Sequence, residues 1–314
     1  MKKYILFDSD SGHDDVLAVL LALADPDCQV LGVVTSAGNQ TSAKTCANML
    51  KVFSHLNIHG VPVVRGVDKP LCRPLRVAEE VHGETGLDGV DFGPVDQSPL
   101  DENPIDFMAR VLRQAPQPVD LVVTGPMTNT ALLLSVHPEL KEKIRCISFM
   151  GGACFGGNTT PLAEYNIYVD PEAAAIVFGA GVPLIMCGLD VTLKAQIFSD
   201  EIEAIGRLGN KAGAMIAGLL EFFHRTTTPN FLHPEREEGA HLHDPCAMAI
   251  LLHPEKFVTK DLYGYVSIGD GDARGCTVID YDGQSGLPAN VRVAFDIDRA
   301  WFVDFLTRSI GRFE

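Results

Sequence analysis

The sequence predicts an α/β fold built on a doubly wound, mostly parallel central sheet. Between residues 4 and 189, short apolar runs rich in β-branched residues alternate with helical stretches. The runs are continuously apolar, as strands covered on both faces must be. Each also ends in a polar or glycine-rich tip: Asp8 to Asp15, Gly38-Asn39, Thr124-Gly125, Met150-Gly151-Gly152 and Gly188-Leu189-Asp190. Ligands in doubly wound sheets bind beyond the carboxyl ends of the strands, where these tips would gather.

Taken in order, residues 4–7 read as the first strand and 16–23, rich in alanine and leucine, as the first helix. Strand, helix and strand follow at 29–35, 42–56 and 61–65. The alternation resumes with helix 105–114, strand 120–124, helix 128–136 and strand 144–150. Helix 171–179 opens on Pro171, a favoured first helical position, and precedes strand 183–189. Helices are expected at 200–208, 211–224 and 244–252. Residues 262–268, 276–281 and 290–296 read as an antiparallel meander joined by Gly/Asp turns, and an amphipathic helix at 298–310 closes the chain. With no low-complexity linker and no internal repeat, residues 1–314 read as a single domain carrying a helical and antiparallel β elaboration after the parallel core.

Residues 67–104 have neither helical nor strand period. So long an irregular connection suits a lid or binding loop as well as a disordered one, and the glycines around His82 (Val81-His82-Gly83-Glu84-Thr85-Gly86) would let it move.

The chain has 314 residues, 46% of them hydrophobic and 21% charged, enough to bury a large core. A net charge of −16 argues against nucleic acid or anionic membrane as partner and favours a neutral substrate over a phosphorylated one. No basic-then-apolar leader and no run of membrane-spanning length occurs, so a cytoplasmic location is expected. The eight cysteines are scattered without a Cys-x-x-Cys pair and read as reduced, mostly buried thiols.

The chemistry concentrates in Asp8-Ser9-Asp10-Ser11-Gly12-His13-Asp14-Asp15. Four carboxylates converging on one point would repel one another, and a hard divalent cation with oxygen ligands relieves that repulsion. Capping of the first helix is the plainer use for any single one of these acids. An EF-hand loop starting at Asp8 fails, because His13 stands where glycine is required and Val19 where glutamate is. A phosphohydrolase with Asp8 or Asp10 as nucleophile leaves Asp14 and Asp15 unexplained and needs a cation such as Lys194 nearby.

Two further groups stand out. Asn158, Glu164 and Asn166 follow the strand ending at Met150 and offer directional hydrogen bonds to sugar hydroxyls; Glu164 and Asn166 would share one side of an extended stretch. His241-Leu242-His243-Asp244-Pro245 opens a helix. Asp244 can cap it, and a histidine beside an aspartate at a helix mouth suits acid–base work.

Together these motifs resemble, in order, those of the inosine-uridine-preferring nucleoside hydrolases: Asp8-x-Asp10-x-Gly12-x-Asp14-Asp15, Gly38-Asn39, Thr124-Gly125-Pro126-Met127-Thr128-Asn129, Met150-Gly151-Gly152, Asn158-Thr159-Thr160, Ala163-Glu164-Tyr165-Asn166, Asp170-Pro171-Glu172-Ala173-Ala174 and His243-Asp244-Pro245. The resemblance spans residues 8 to about 247. It implies a Rossmann-like nucleoside hydrolase fold and hydrolysis of ribonucleosides to ribose and free base in nucleoside catabolism and salvage. It further implies Ca2+ held by Asp10, Asp15, Asp244 and the Thr124 carbonyl, with a dimer or tetramer as the usual assembly. Ribose would be gripped by Asp14, Asn39, Asn158, Glu164, Asn166 and Asp244, with Met150 also at the substrate. Asp10 would be the general base, His243 the acid toward the leaving base, and His82 would close over that base. Such a reaction passes through an oxocarbenium-like transition state, as in inverting glycosidases. A non-catalytic sugar-binding protein would keep Glu164 and Asn166 but lack the acid cluster. Base preference is not legible, and Arg225, His233 and His241 are candidates for the base side by position alone.

Overall fold

The structure, a computed structural model, describes residues 2–226 and 239–313. Its strands are β1 (Lys3–Ser9), β2 (Cys28–Thr35), β3 (Val63–Arg65), β4 (Val119–Val123), β5 (Ile144–Met150), β6 (Leu184–Cys187), β7 (Gln196–Ile197), β8 (Ala240–His241), β9 (Phe257–Val266), β10 (Thr277–Asp280) and β11 (Val291–Ile297). Nine of them form one sheet in the order β10-β9-β11-β6-β5-β4-β1-β2-β3. From β3 to β11 every pairing is parallel; β9 then pairs antiparallel with both β11 and β10 and is the one strand of this sheet that runs against the others. The doubly wound parallel sheet is therefore as the sequence predicts.

The C-terminal strands differ from the expected meander. β11 does not follow β10 at the edge; it inserts between β6 and β9, aligning Val291 with Leu184 on one side and with Leu262 on the other. This placement buries Val291, Val293 and Ala294, whereas the outer position would leave them wet. Strand β9 also begins earlier than predicted, at Phe257, where it pairs with the end of β11; the sequence does not announce this half because Val258-Thr259-Lys260-Asp261 is exposed and lacks an apolar pattern.

Two apolar layers sandwich the sheet. One contains the helices His13–Ala24 and Asp244–Leu252, which pack against each other. Both are buried on nearly every side and so are apolar all round after their first turn. Packed side by side with their N-termini at the same end of the sheet, they bring Asp14 and Asp15 to Asp244 across 229 residues of chain. The first helix starts at His13, three residues before the apolar run that announces it, so both acids lie in its first turn.

The 67–104 connection carries one short helix, Glu79–His82, and is packed onto the body, with His82 and Leu87 buried. Gly86, at φ 81°, makes a turn there that a side chain would strain. Three more short elements lie outside the predicted set: Tyr165–Val169, Leu189–Thr192 and the β7–β8 pair. Glu164 and Asn166 are accordingly not on an extended stretch; Glu164 caps the helix that contains Asn166. No helix among the described residues is long and apolar enough to cross a membrane.

Candidate active site

A cavity of about 470 Å³ opens at the carboxyl end of the sheet. Asp10, Asp14, Asn39, His82, Thr124, Met150, Asn158, Glu164, Asn166, His243 and Asp244 line it, while Asp15 is buried in the floor beneath. The residues that the family resemblance assigns to metal, ribose and acid–base roles thus gather at one cavity.

The floor is acidic. Carboxylate oxygens of Asp14, Asp15 and Asp244 lie within 4.8 Å of one another, and all three residues are buried. Asp10 adjoins them closely enough to be raised well above the ordinary carboxylate range, first by burial and then by the Asp15 charge; Asp244 is raised by burial and by Asp14, Asp15 and Asp10. Asp14 is pushed up to about 7, by burial and then by Asp15. The protein orients these acids with donors from several elements. Asp15 accepts from Ser9 Oγ (2.9 Å), the Gly12 amide (2.8 Å), Asn39 Nδ2 (3.0 Å) and Thr124 Oγ1 (2.5 Å). Asp14 Oδ2 accepts from the amides of His243 and Asp244 at 3.0 and 3.3 Å, capping the second helix from the first. Asp10 Oδ2 accepts from the Asn39 amide at 2.7 Å.

Asp10 Oδ1 is buried without a hydrogen-bond partner. An unpaired carboxylate oxygen facing three other acids is costly unless a cation fills the gap. The donor set is all oxygen, which selects a hard divalent ion over zinc or copper. The residues present therefore fit such an ion. Backbone approaches Asp10 so closely that a Cβ at Gly38 would stand 2.2 Å from its Oδ2, and one at Gly125 2.8 Å from its Oδ1.

Asp8 does not join this cluster, contrary to the four-acid reading of the N-terminal segment. Its carboxylate is saturated by Ser36 Oγ (2.8 Å), Asn129 Nδ2 (2.9 Å), Thr130 Oγ1 (2.7 Å) and the Thr130 amide (3.1 Å), tying β1 to the helix Thr128–Val136. Asp244 takes the fourth place. Asp8→Ala, which strands those buried donors, is expected to cost about 3 kcal/mol of stability in denaturant unfolding. A loss below about 1 kcal/mol would show that the bonds are not structural.

The cavity wall is polar and pre-organised. Glu164 accepts from the amides of Gly152, Asn166 and Ile167 (2.9, 2.9 and 3.2 Å), and burial pushes it up to about 7. Asn166 Nδ2 donates to the carbonyls of Thr124 (2.8 Å) and Met150 (3.2 Å), and Asn158 Oδ1 accepts from the Tyr165 amide at 3.0 Å. Asn39 and Asn166 keep an amide oxygen, and Asn158 an amide nitrogen, with no partner among the described residues.

Three histidines, His82, His241 and His243, also line the cavity. His243 Nδ1 is 2.8 Å from Thr192 Oγ1, and burial, then His241, lowers its ring to about 3. His82 Nδ1 is 3.1 Å from His13 Nδ1. His241, a position-only candidate, is buried against the cavity and accepts from Gln196 Nε2 at 2.7 Å. Arg225 is exposed and does not line the cavity, and His233 lies outside the described residues. Sequence reading missed Phe223, Tyr165, Leu189 and Leu193 on the wall and His13 behind it. Tyr165 Oη, donating to the Gly38 and Arg76 carbonyls, was hidden between two residues that drew the attention. Lys194, the cation a phosphohydrolase reading called on, bonds the Phe295 carbonyl and does not line the cavity.

Residues 5–304 match the family model described as inosine-uridine preferring nucleoside hydrolase. The chain belongs to that family. Two relatives, each named pyrimidine-specific ribonucleoside hydrolase RihA, support the assignment. The one from Citrobacter koseri is 46% identical over 310 residues, covering 98% of this chain and 97% of the relative, and the one from Shewanella baltica is 48% identical over 313 residues, covering 99% and 96%. Among solved structures, a purine-preferring ribonucleoside hydrolase from Gardnerella vaginalis superposes with a TM-score of 0.91 at 30% identity, with 98% of each chain covered. This nucleoside hydrolase, like its family, splits ribonucleosides into ribose and free nucleobase. The resemblance read from its motifs, and the fold that resemblance implies, are borne out.

Proposed function

We propose that the enzyme hydrolyses pyrimidine ribonucleosides at the described cavity with a bound calcium ion. The observation that carries the metal reading is the partnerless Asp10 Oδ1 among buried acids. The pyrimidine reading is supported by the names of the two relatives, 46% and 48% identical, over that of the structural neighbour named for purines, 30% identical.

In this reading Asp10, Asp15, Asp244 and the Thr124 carbonyl hold the ion. The Thr124 oxygen has a second lone pair beyond its bond to Asn166. When bound, a divalent cation neutralises the crowded carboxylates and raises the acidity of an adjacent water. Asp10 is the general base that takes the proton of the attacking water. Asp14, Asn39, Asn158, Glu164, Asn166 and Asp244 bind the ribose hydroxyls, and the backbone bonds that already fix Glu164 and Asn166 make that grip pre-paid. The same acids face the positive charge that develops at the anomeric carbon. Met150 packs at the sugar. His243 protonates or hydrogen-bonds the departing base, and His82 lies against that base. We assign the enzyme to the cytoplasm as a homo-oligomer of a single-domain chain, in nucleoside salvage.

The deciding experiment is a reducing-sugar assay on uridine, cytidine, inosine and adenosine, before and after chelation. Uridine and cytidine should lead, activity should fall to near background with chelator, and calcium should restore it. A purine-first ranking would reject the base preference; full activity after exhaustive chelation would reject the ion.

A further inference from the structure

The contact between His13 and His82 is used by nothing above, yet its geometry constrains where hydrogens can be. His13 Nε2 lies 2.8 Å from the Asp88 carbonyl oxygen. A carbonyl only accepts, so this nitrogen carries the hydrogen. The His13 ring is fully buried and stacked on Phe222 and Phe223, with centroids 5.1 and 5.5 Å away and planes within 10°. Burial among apolar rings favours the neutral imidazole, whose Nδ1 then presents a lone pair. That lone pair faces His82 Nδ1 at 3.1 Å. Two lone pairs at such a distance repel, so His82 must hold its hydrogen on Nδ1. Its Nε2, which has no partner among the described residues, is left as an acceptor on a ring that lines the cavity.

We propose that His13 is a positioning residue that fixes the tautomer of His82, so that the cavity-facing nitrogen accepts a hydrogen bond and selects nucleobases presenting an N–H on that edge. The inference rests on the nucleoside reading of the cavity. It gives the chain of bonds one polarity: His82 donates to His13, His13 donates to the Asp88 carbonyl, and His82 accepts from the cavity. Uracil offers its ring N–H and cytosine its exocyclic amine to such an acceptor. Phe223, stacked on both rings, buttresses the pair, and the absence of a side chain at Gly12 makes room, since a Cβ there would stand 2.7 Å from His82 Nδ1.

The same arrangement divides the two histidines at the base. His82 with an unprotonated Nε2 cannot be the proton donor, which leaves that task to His243. Discrimination through an acceptor is the stronger kind, because a base without the N–H leaves a buried polar atom unpaired.

Two substitutions separate the position of the acceptor from the mere presence of a side chain. In His13→Asn the amide oxygen replaces Nδ1 and keeps the acceptor. His13→Gln reaches the Asp88 carbonyl and loses the acceptor beside His82. The ratio of kcat/KM for uridine to that for p-nitrophenyl riboside, which has no base N–H, should fall about tenfold in His13→Gln and stay within about twofold of wild type in His13→Asn. In full-length protein labelled with 15N-histidine, His82 should show a protonated, pyrrole-type Nδ1 and an unprotonated, pyridine-type Nε2, with the pattern lost in His13→Gln.

Equal losses on both substrates, or His13→Asn as selective a defect as His13→Gln, would overturn the role of His13; so would a pyridine-type Nδ1 on His82 in the wild type. The two readings fail separately. A wild type inert toward every ribonucleoside removes the nucleoside assignment, whereas an inverted His82 tautomer in an active enzyme removes only the role given to His13.

Discussion

Asp10→Ala is expected to lower kcat/KM for a ribonucleoside by about 10⁴-fold or more and to weaken divalent-cation binding in the same protein. A positioned general base alone is worth about 10²- to 10⁴-fold. Here the same carboxylate also has the buried oxygen without a partner, so its removal strips a ligand from the ion site as well. The fold should survive. Asp10 holds only the Asn39 amide by a direct bond, and its deletion relieves repulsion with Asp15. Circular dichroism and thermal melting establish that the variant is folded, calorimetric titration with calcium reads the ion, and single-substrate kinetics read turnover. A folded Asp10→Ala protein with turnover within about tenfold of wild type would remove Asp10 from both roles.

The double use proposed for Asp10 also bears on why the sequence could be read so far at this point and less far elsewhere. The parallel sheet was legible because its strands are buried on both faces and must be apolar throughout, as in Phe7, Val33 and Val122. The floor acids were legible because charged residues beside a buried helix have few structural uses. Which of them converge was not. Asp8 and Asp10 look equivalent in the chain, and only tertiary contacts with Ser36, Asn129 and Thr130 divert Asp8 into the sheet's support. The insertion of β11 between β6 and β9 was hidden for a related reason: strand order is decided by which edge buries Val291 and Val293, and local pattern carries no record of it. His13 was lost because a histidine at a helix start reads as ordinary, and its meaning depends on a ring 69 residues away. Phe223 belongs to an amphipathic helix whose other apolar residues are core, so nothing local marks it as cavity wall.

The second large effect separates the two ends of the reaction. His243→Ala should lower kcat/KM for uridine by about 10²- to 10⁴-fold, the usual range for loss of a general acid, and lower hydrolysis of p-nitrophenyl riboside by no more than about tenfold. The difference arises in the leaving group. A nucleobase anion is a poor leaving group and needs a proton or a strong hydrogen bond as the glycosidic bond breaks, whereas p-nitrophenolate departs unaided. His243 is the group proposed to supply it. Its Nδ1 is 2.8 Å from the Thr192 hydroxyl, which leaves Nε2 as the other ring nitrogen at the cavity. Its backbone amide donates to Asp14, so the residue proposed to act on the base is tied to an acid proposed to bind the sugar. That bond belongs to the backbone and persists in alanine, and the ribose end should therefore remain intact in the variant. Parallel losses on uridine and p-nitrophenyl riboside would mean that the imidazole shapes the cavity without serving the leaving group. A loss confined to uridine, together with a wild-type 15N pattern at His82, would identify His243 as the donor and His82 as the acceptor facing the same base.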